Sequence, residues 1–188
     1  MKRVTRADTV TLSHMAETTH ILQHEKHVVT REELVTLLNE DLSREYQAII
    51  SYVIYSQVLK GAQYMNIAAE LALHATEELS HAILLAGQID YLGGMPVTIP
   101  EPVRTSPDAE DMLRFDLEAE TETIYHYRQR VQQCEALGEY AIAEHIRGIL
   151  VQEQDHQIAL ASALGVAVPN ANHADTNAGG IHQQISKD

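Results

Sequence analysis

Six residues combine metal-binding side chains with a repeated spacing. Glu45, Glu78, Glu120 and Glu153 each interrupt an apolar stripe, and Glu78 and Glu153 are followed three residues later by His81 and His156. The same 33 residues separate Glu45 from Glu78 and Glu120 from Glu153. Tyr52 and Tyr127 each sit seven residues after the first glutamate of their half. On a helix, positions three apart share a face, so each Glu-x-x-His presents two ligands in the same direction. An isolated buried carboxylate is costly, and four together repel one another or take up protons. Two divalent cations balance four carboxylates when the histidines are neutral ligands. Carboxylate and imidazole without thiolate suits iron or manganese, and zinc also binds such a set. Glu-x-x-His alone carries little weight: a third copy, Glu17 to His20, lies in a segment with no partner carboxylates of this kind.

The elements that must position these residues are four helices. Their buried stripes, stepping by four and three, read Leu34, Leu38, Leu42, Glu45, Ile49, Tyr52; then Ile67, Leu71, His74, Glu78, His81, Leu85. The third and fourth read Leu113, Leu117, Glu120, Ile124, Tyr127, Val131, Cys134, and Ile142, Ile146, Ile149, Glu153, His156, Leu160. A capping box at Thr30-Arg31-Glu32-Glu33 opens the first helix, which is expected to run to Gly61. The second is expected from Ala62 to Gly93-Gly94. The third starts at Ser106-Pro107-Asp108 with Pro in its first turn, and the fourth lies between Gly138 and Gly165. Glu45 lies 15 residues past Thr30 and Glu78 lies 15 before Gly93, so the carboxylates are predicted to fall in one layer.

Short links at Gly61 and Gly138 force antiparallel neighbours. The segment from Gly94 to Ser106 holds three prolines. At about 3.3 Å per residue it spans roughly 43 Å, the length of such a bundle. It is predicted to be one long crossover between helices two and three, with Val97, Ile99 and Val103 packing as it passes. The fold class is therefore all-α, a four-helix bundle over 31–165. An N-terminal extension (1–29) carries His14, His20, His24 and His27, and a flexible tail is expected over 166–188.

Composition narrows the function. The 188 residues are 45% apolar with 9 Gly, 5 Pro and no Trp, which favours a helical core over a β-sandwich or barrel. Thirteen basic residues against 27 acidic ones leave a net charge of −14. That sign argues against nucleic acid and against an anionic membrane surface, and it suits cations as partners. A single cysteine, Cys134, excludes a disulfide framework and any Cys-rich zinc site. No secretory signal and no membrane-spanning run is evident, so the expected location is the cytoplasm.

The segments Asn39 to Glu45 with Tyr52, Glu78 to His81, Asp116 to Glu120, and Glu153 to His156 resemble the bacterioferritin branch of the ferritin-like superfamily. The resemblance implies a ferritin-like bundle in which Glu45 and Glu120 are terminal ligands, Glu78 and Glu153 bridge, and His81 and His156 each bind one metal. These six are then both the catalytic and the metal-binding residues. It further implies a ferroxidase: two iron ions per subunit, Fe(II) oxidised by dioxygen or hydrogen peroxide, and Fe(III) sequestered in a homo-oligomeric cage. Two departures qualify the likeness. Leu79 stands where the family's haem-binding Met follows the first bridging glutamate, so no haem is expected. After Pro169 a polar tail rather than a fifth helix is expected, which is more like the smaller Dps-like cages and implies about twelve subunits.

Several further residues have two readings. Glu77 and Gln152 either orient the opposite histidines or are ordinary polar residues. Tyr52 reads as a core tyrosine, with electron donation as the alternative. His74 reads as a hydrogen-bonded core histidine rather than a third-site ligand. His20, His24 and His27 read as a solvated face. The rival function is a di-metal peroxidase or catalase, rubrerythrin-like or manganese catalase-like. Against it, the chain has no Cys-x-x-Cys module to supply electrons and is short for a manganese catalase.

Overall fold

The computed structural model describes residues 29–172. The histidine-rich segment, including Glu17 and His20, lies outside the described residues, as does the tail from 173. Within the described residues there are four long helices and no strand. They are α1 (Arg31–Val58), α2 (Met65–Tyr91), α3 (Ala109–Ala136) and α4 (Tyr140–Leu164).

Helix starts follow local chemistry. Thr30 Oγ1 accepts from the Glu33 amide at 3.1 Å, and Glu33 Oε2 accepts from the Thr30 amide at 2.7 Å, completing the expected capping box. Such a cap stabilises a helix by about 1 kcal/mol. α3 differs from expectation. Its cap is Asp108, whose carboxylate accepts from the amides of Glu110 and Asp111, so Pro107 precedes the cap. Ser106 Oγ braces that cap, donating to Asp111 Oδ2 at 2.9 Å and accepting from the Asp108 amide at 3.1 Å. α2 begins at Met65 rather than Ala62, because a 3-10 turn (Ala62–Tyr64) intervenes after Gly61. α3 reverses into α4 at Gly138, whose φ of +77° is cheap only without a Cβ.

α1 packs on α2 and α3 on α4, and the two hairpins meet through α1–α3 and α2–α4. The crossover lies along α1, held by residues one turn apart. Asn39 Oδ1 accepts from the Val97 amide at 2.6 Å, Ser43 Oγ donates to the Ile99 carbonyl at 2.8 Å, and Gln47 Nε2 donates to the Pro102 carbonyl at 2.9 Å. Val97 packs on the core as expected. Ile99 does not: it is 69% exposed, because the crossover turns its backbone toward Ser43 and its side chain outward. Gly94 allows the crossover to leave α2 against α1, since a Cβ there would overlap Val35 Cγ1.

The core is divided. One apolar cluster joins Leu34, Leu38, Leu42, Leu85, Ile89 and Ile146 at one end of the bundle. A second joins Tyr55, Ile67, Leu71, Leu113, Leu117 and Leu160 at the other. Each fully buried Leu or Ile contributes roughly 1.5–3 kcal/mol, enough to offset a costly polar layer between the clusters. At the C-terminal side, residues 166–172 lie across α3 and α4. Arg128 Nη1 donates to the Ala171 carbonyl at 3.1 Å, Gln157 Nε2 donates to the Pro169 carbonyl at 3.3 Å, and Ala171 is buried. No helix among the described residues is long and apolar enough to cross a membrane.

Candidate metal centre

All six predicted ligands meet between the two apolar clusters, and none is more than 3% exposed. Each helix supplies one glutamate from mid-length, because the four-and-three stepping turns that position inward. His81 Nδ1 lies 2.9 Å from Glu78 Oε2, 3.2 Å from Glu153 Oε1 and 3.4 Å from Glu45 Oε2. His156 Nδ1 lies 2.9 Å from Glu78 Oε1, 3.4 Å from Glu153 Oε2 and 3.9 Å from Glu120 Oε1. Two groups of four donors result: Glu45, Glu78, His81 and Glu153, and Glu78, Glu120, Glu153 and His156, each with ligand atoms within 4.8 Å of one another. Glu78 and Glu153 belong to both.

The outward ring nitrogens are held from the facing helix. His81 Nε2 meets Gln152 Oε1 at 2.8 Å, and His156 Nε2 meets Glu77 Oε2 at 2.8 Å. Glu77 and Gln152 therefore orient the opposite histidines and leave Nδ1 pointing at the carboxylates. The tyrosines also cross between halves. Tyr52 donates to Glu120 and Tyr127 donates to Glu45. The sequence pattern marked both tyrosines as equivalent, yet only the packing of α1 against α3 pairs each with the other half's glutamate.

Four buried carboxylates in one layer set the electrostatics of the site. Glu45 Oε2, Glu78 Oε1, both Glu153 oxygens and His156 Nδ1 are buried without a well-directed hydrogen bond. Each such atom costs about 1–3 kcal/mol unless something satisfies it. Burial, followed by repulsion from Glu78 and Glu153, pushes the Glu45 and Glu120 carboxyls well above the usual range. For Glu78 burial also pushes upward, but hydrogen bonds from His156 and His81 outweigh it and hold the carboxyl low. The histidines move the other way. Burial disfavours their charge, but hydrogen bonds to Glu153 and other carboxylates win, raising His81 strongly and His156 to about 10. Donor types, number and orphaned atoms all fit two divalent metals.

His74 is buried and stacks on His156 with ring centroids 4.0 Å apart. Burial and the neighbouring His156 lower it to about 4, and its Nδ1 has no hydrogen-bond partner. With Glu77 and His156 it forms a third, partly exposed donor group.

Three buried charged residues escaped the sequence reading. Asp41 accepts from Arg130 Nε at 2.6 Å and Nη2 at 3.1 Å and also takes Arg44, while both Asp41 and Arg130 are 1% exposed. Asp116 is 4% exposed, its Oδ2 has no partner, and burial pushes its carboxyl well above the usual range. The available signal was spacing: Asp41 and Asp116 each precede a terminal glutamate by four residues, 75 residues apart.

Comparison with known proteins agrees with this geometry. The family model for the ferritin-like domain matches residues 35–167. A bacterioferritin of Desulfovibrio desulfuricans is 31% identical over 65% of this chain and 69% of its own length. One from Brucella melitensis biotype 1 is 25% identical over 65% of this chain and 77% of its own. Among solved structures, a ferritin-like diiron-carboxylate protein of Bacillus anthracis is similar, with a TM-score of 0.69 and 32% identity over 71% of this chain and 96% of that one. The dodecameric thioferritin, the bacterioferritin-related protein of Bacteroides fragilis, has a TM-score of 0.68 and 26% identity over 80% and 93%. With its duplicated Glu-x-x-His and its layer of four glutamates, this chain belongs to the ferritin-like family.

Proposed function

We propose that this chain is a ferroxidase subunit that takes in Fe(II) and stores it as Fe(III). The observation that carries the reading is the pair of overlapping four-donor groups, fully buried and sharing Glu78 and Glu153. In this reading Glu45 with His81 and Glu120 with His156 each terminate one ion, and Glu78 and Glu153 bridge the two. Iron is the substrate: each Fe(II) gives up one electron to dioxygen or hydrogen peroxide and leaves as Fe(III). The chain's own contribution is placement and charge. Tyr52 and Tyr127 fix the two terminal carboxylates, Gln152 and Glu77 fix the imidazoles, and His81 and His156 release protons as cations arrive. The apolar clusters above and below limit water around the ligands.

Storage requires an enclosed volume that one bundle lacks, so the reading includes a closed homo-oligomer. The thioferritin of Bacteroides fragilis is a dodecamer, which supports about twelve subunits. The test is iron loading under air and under peroxide, with particle size measured alongside. Hundreds of irons per hollow particle, and loss of rapid oxidation in Glu78→Ala and Glu153→Ala, are expected. Two ions per chain with sustained peroxide turnover and no cage would instead identify a di-metal peroxidase or catalase.

A further inference from the structure

The two halves of the centre are closed differently. Beyond Glu45, Asp41 has both oxygens taken by Arg130, and Arg44 adds to them. Beyond Glu120, the equivalent Asp116 makes no ion pair: Arg104 is near enough to lower its carboxyl but pairs with Glu118, and the residue matching Arg130 is Tyr55, whose hydroxyl donates instead to the Arg104 carbonyl. In place of an ion pair there is a groove of about 890 Å³. Tyr52, Asp116 and Glu120 line it, and its walls include Gln47, Arg104 and Pro169. Glu120 is the one ligand of the six that reaches it.

We infer that this groove admits a hydrated divalent cation to the Glu120–His156 half of the centre, with Asp116 as the transit ligand that hands it to Glu120. The inference rests on the di-metal reading above. Asp116 and Glu120 are one turn apart on the same face of α3, about 6 Å along the axis, a single step for an ion. Six waters at about 30 Å³ each fill roughly 180 Å³, so the groove has room for a cation with its shell. The rim favours positive charge. Glu101 and Glu122 line it, whereas Arg44, Arg104 and Arg114 are each paired with a carboxylate, on Asp41, Glu118 and Glu110. Asp116 lines the groove with an unpartnered oxygen, and a cation would satisfy it.

Stopped-flow binding of Co(II) to the full metal-free chain, followed by its visible absorption, tests this without relying on oxidation. Asp116→Asn should slow association about tenfold, the lower range for electrostatic focusing. It should still reach the wild-type endpoint of two ions per chain. Asp116→Glu should recover most of the rate, and Ala119→Phe, which puts a ring into the groove, should slow it again. An unchanged rate in Asp116→Asn overturns the transit role, as does an endpoint of one ion. Slowed peroxide consumption with unchanged Co(II) binding would also overturn it, assigning the groove to the oxidant. If instead Glu78→Ala still takes two ions at the wild-type rate, the di-metal reading fails together with this inference.

Discussion

Asp41 and Asp116 occupy equivalent places in the two halves of the chain, each one helical turn before a terminal glutamate. One is locked to Arg130 in a buried pair, and the other faces a groove with an oxygen unpaired. The side chains nearby are almost symmetric: Glu45 and Glu120 each accept from a tyrosine of the other half, and each half contributes one histidine to the centre. The repeated spacing thus gives a near-symmetric interior whose surroundings differ. The same divergence appears at the histidines, where the neutral Gln152 supports His81 and the acidic Glu77 supports His156. A symmetric donor set can thus have one sealed end and one approachable end.

The largest expected effect breaks the sealed end. Arg130→Ala leaves Asp41 buried with only Arg44 beside it, and removing one partner of a buried pair costs about 3–5 kcal/mol. Asp116→Leu at the open end removes a buried carboxyl that has little to lose, so it should leave the stability of the metal-free chain unchanged or raised. Urea unfolding of both variants checks this, and similar destabilisation in the two would show that the ends are energetically alike.

A smaller effect is expected at the histidine supports. Loss of either Glu77 or Gln152 by alanine substitution should weaken metal binding about 10–100-fold, as measured by chelator competition. Glu77→Ala should cost more, because a carboxylate strengthens its histidine as a donor more than a neutral amide does. Equal losses would mean that orientation alone matters.

The last effect concerns pH. In the metal-free chain His156 is raised to about 10 from an ordinary value near 6.5, so its stabilisation is complete below about 6.5 and is lost as pH rises through about 10. The raised Glu45 and Glu120 act in the same direction, since ionising them in place is costly. Glu78, held low, acts oppositely and loses its contribution only on acidification. The unfolding midpoint of the metal-free chain should therefore fall between pH 6.5 and 10. Imidazole NMR should show His156 losing its proton before His81, which is raised further. A midpoint that rises with pH would contradict the raised His156, Glu45 and Glu120.

Much of this molecule was legible in its residues. The stripe positions predicted for all four helices are buried, with Ile49 and Val131 only half so, and the capping box at Thr30 forms as written. Burial of an apolar stripe is set by helical periodicity, which is a local property, and a glutamate inside that stripe must then point where its neighbours point. The same logic places the six ligands in one layer, because equal spacing from helix ends gives equal height in an antiparallel pair. Tertiary structure decided what periodicity does not encode. Asp41 and Arg130 are 89 residues apart, and as isolated letters both read as exposed charges until α1 packs on α3. The crossing of Tyr52 to Glu120 and Tyr127 to Glu45 likewise depends on which helix faces which. The groove at Asp116 depends on Tyr55 standing where the other half has Arg130, together with the paths of the crossover and of residues 166–172 beside it. Ligand identity is written in residue type and period, whereas access to the ligands is a property of the space that other segments leave open.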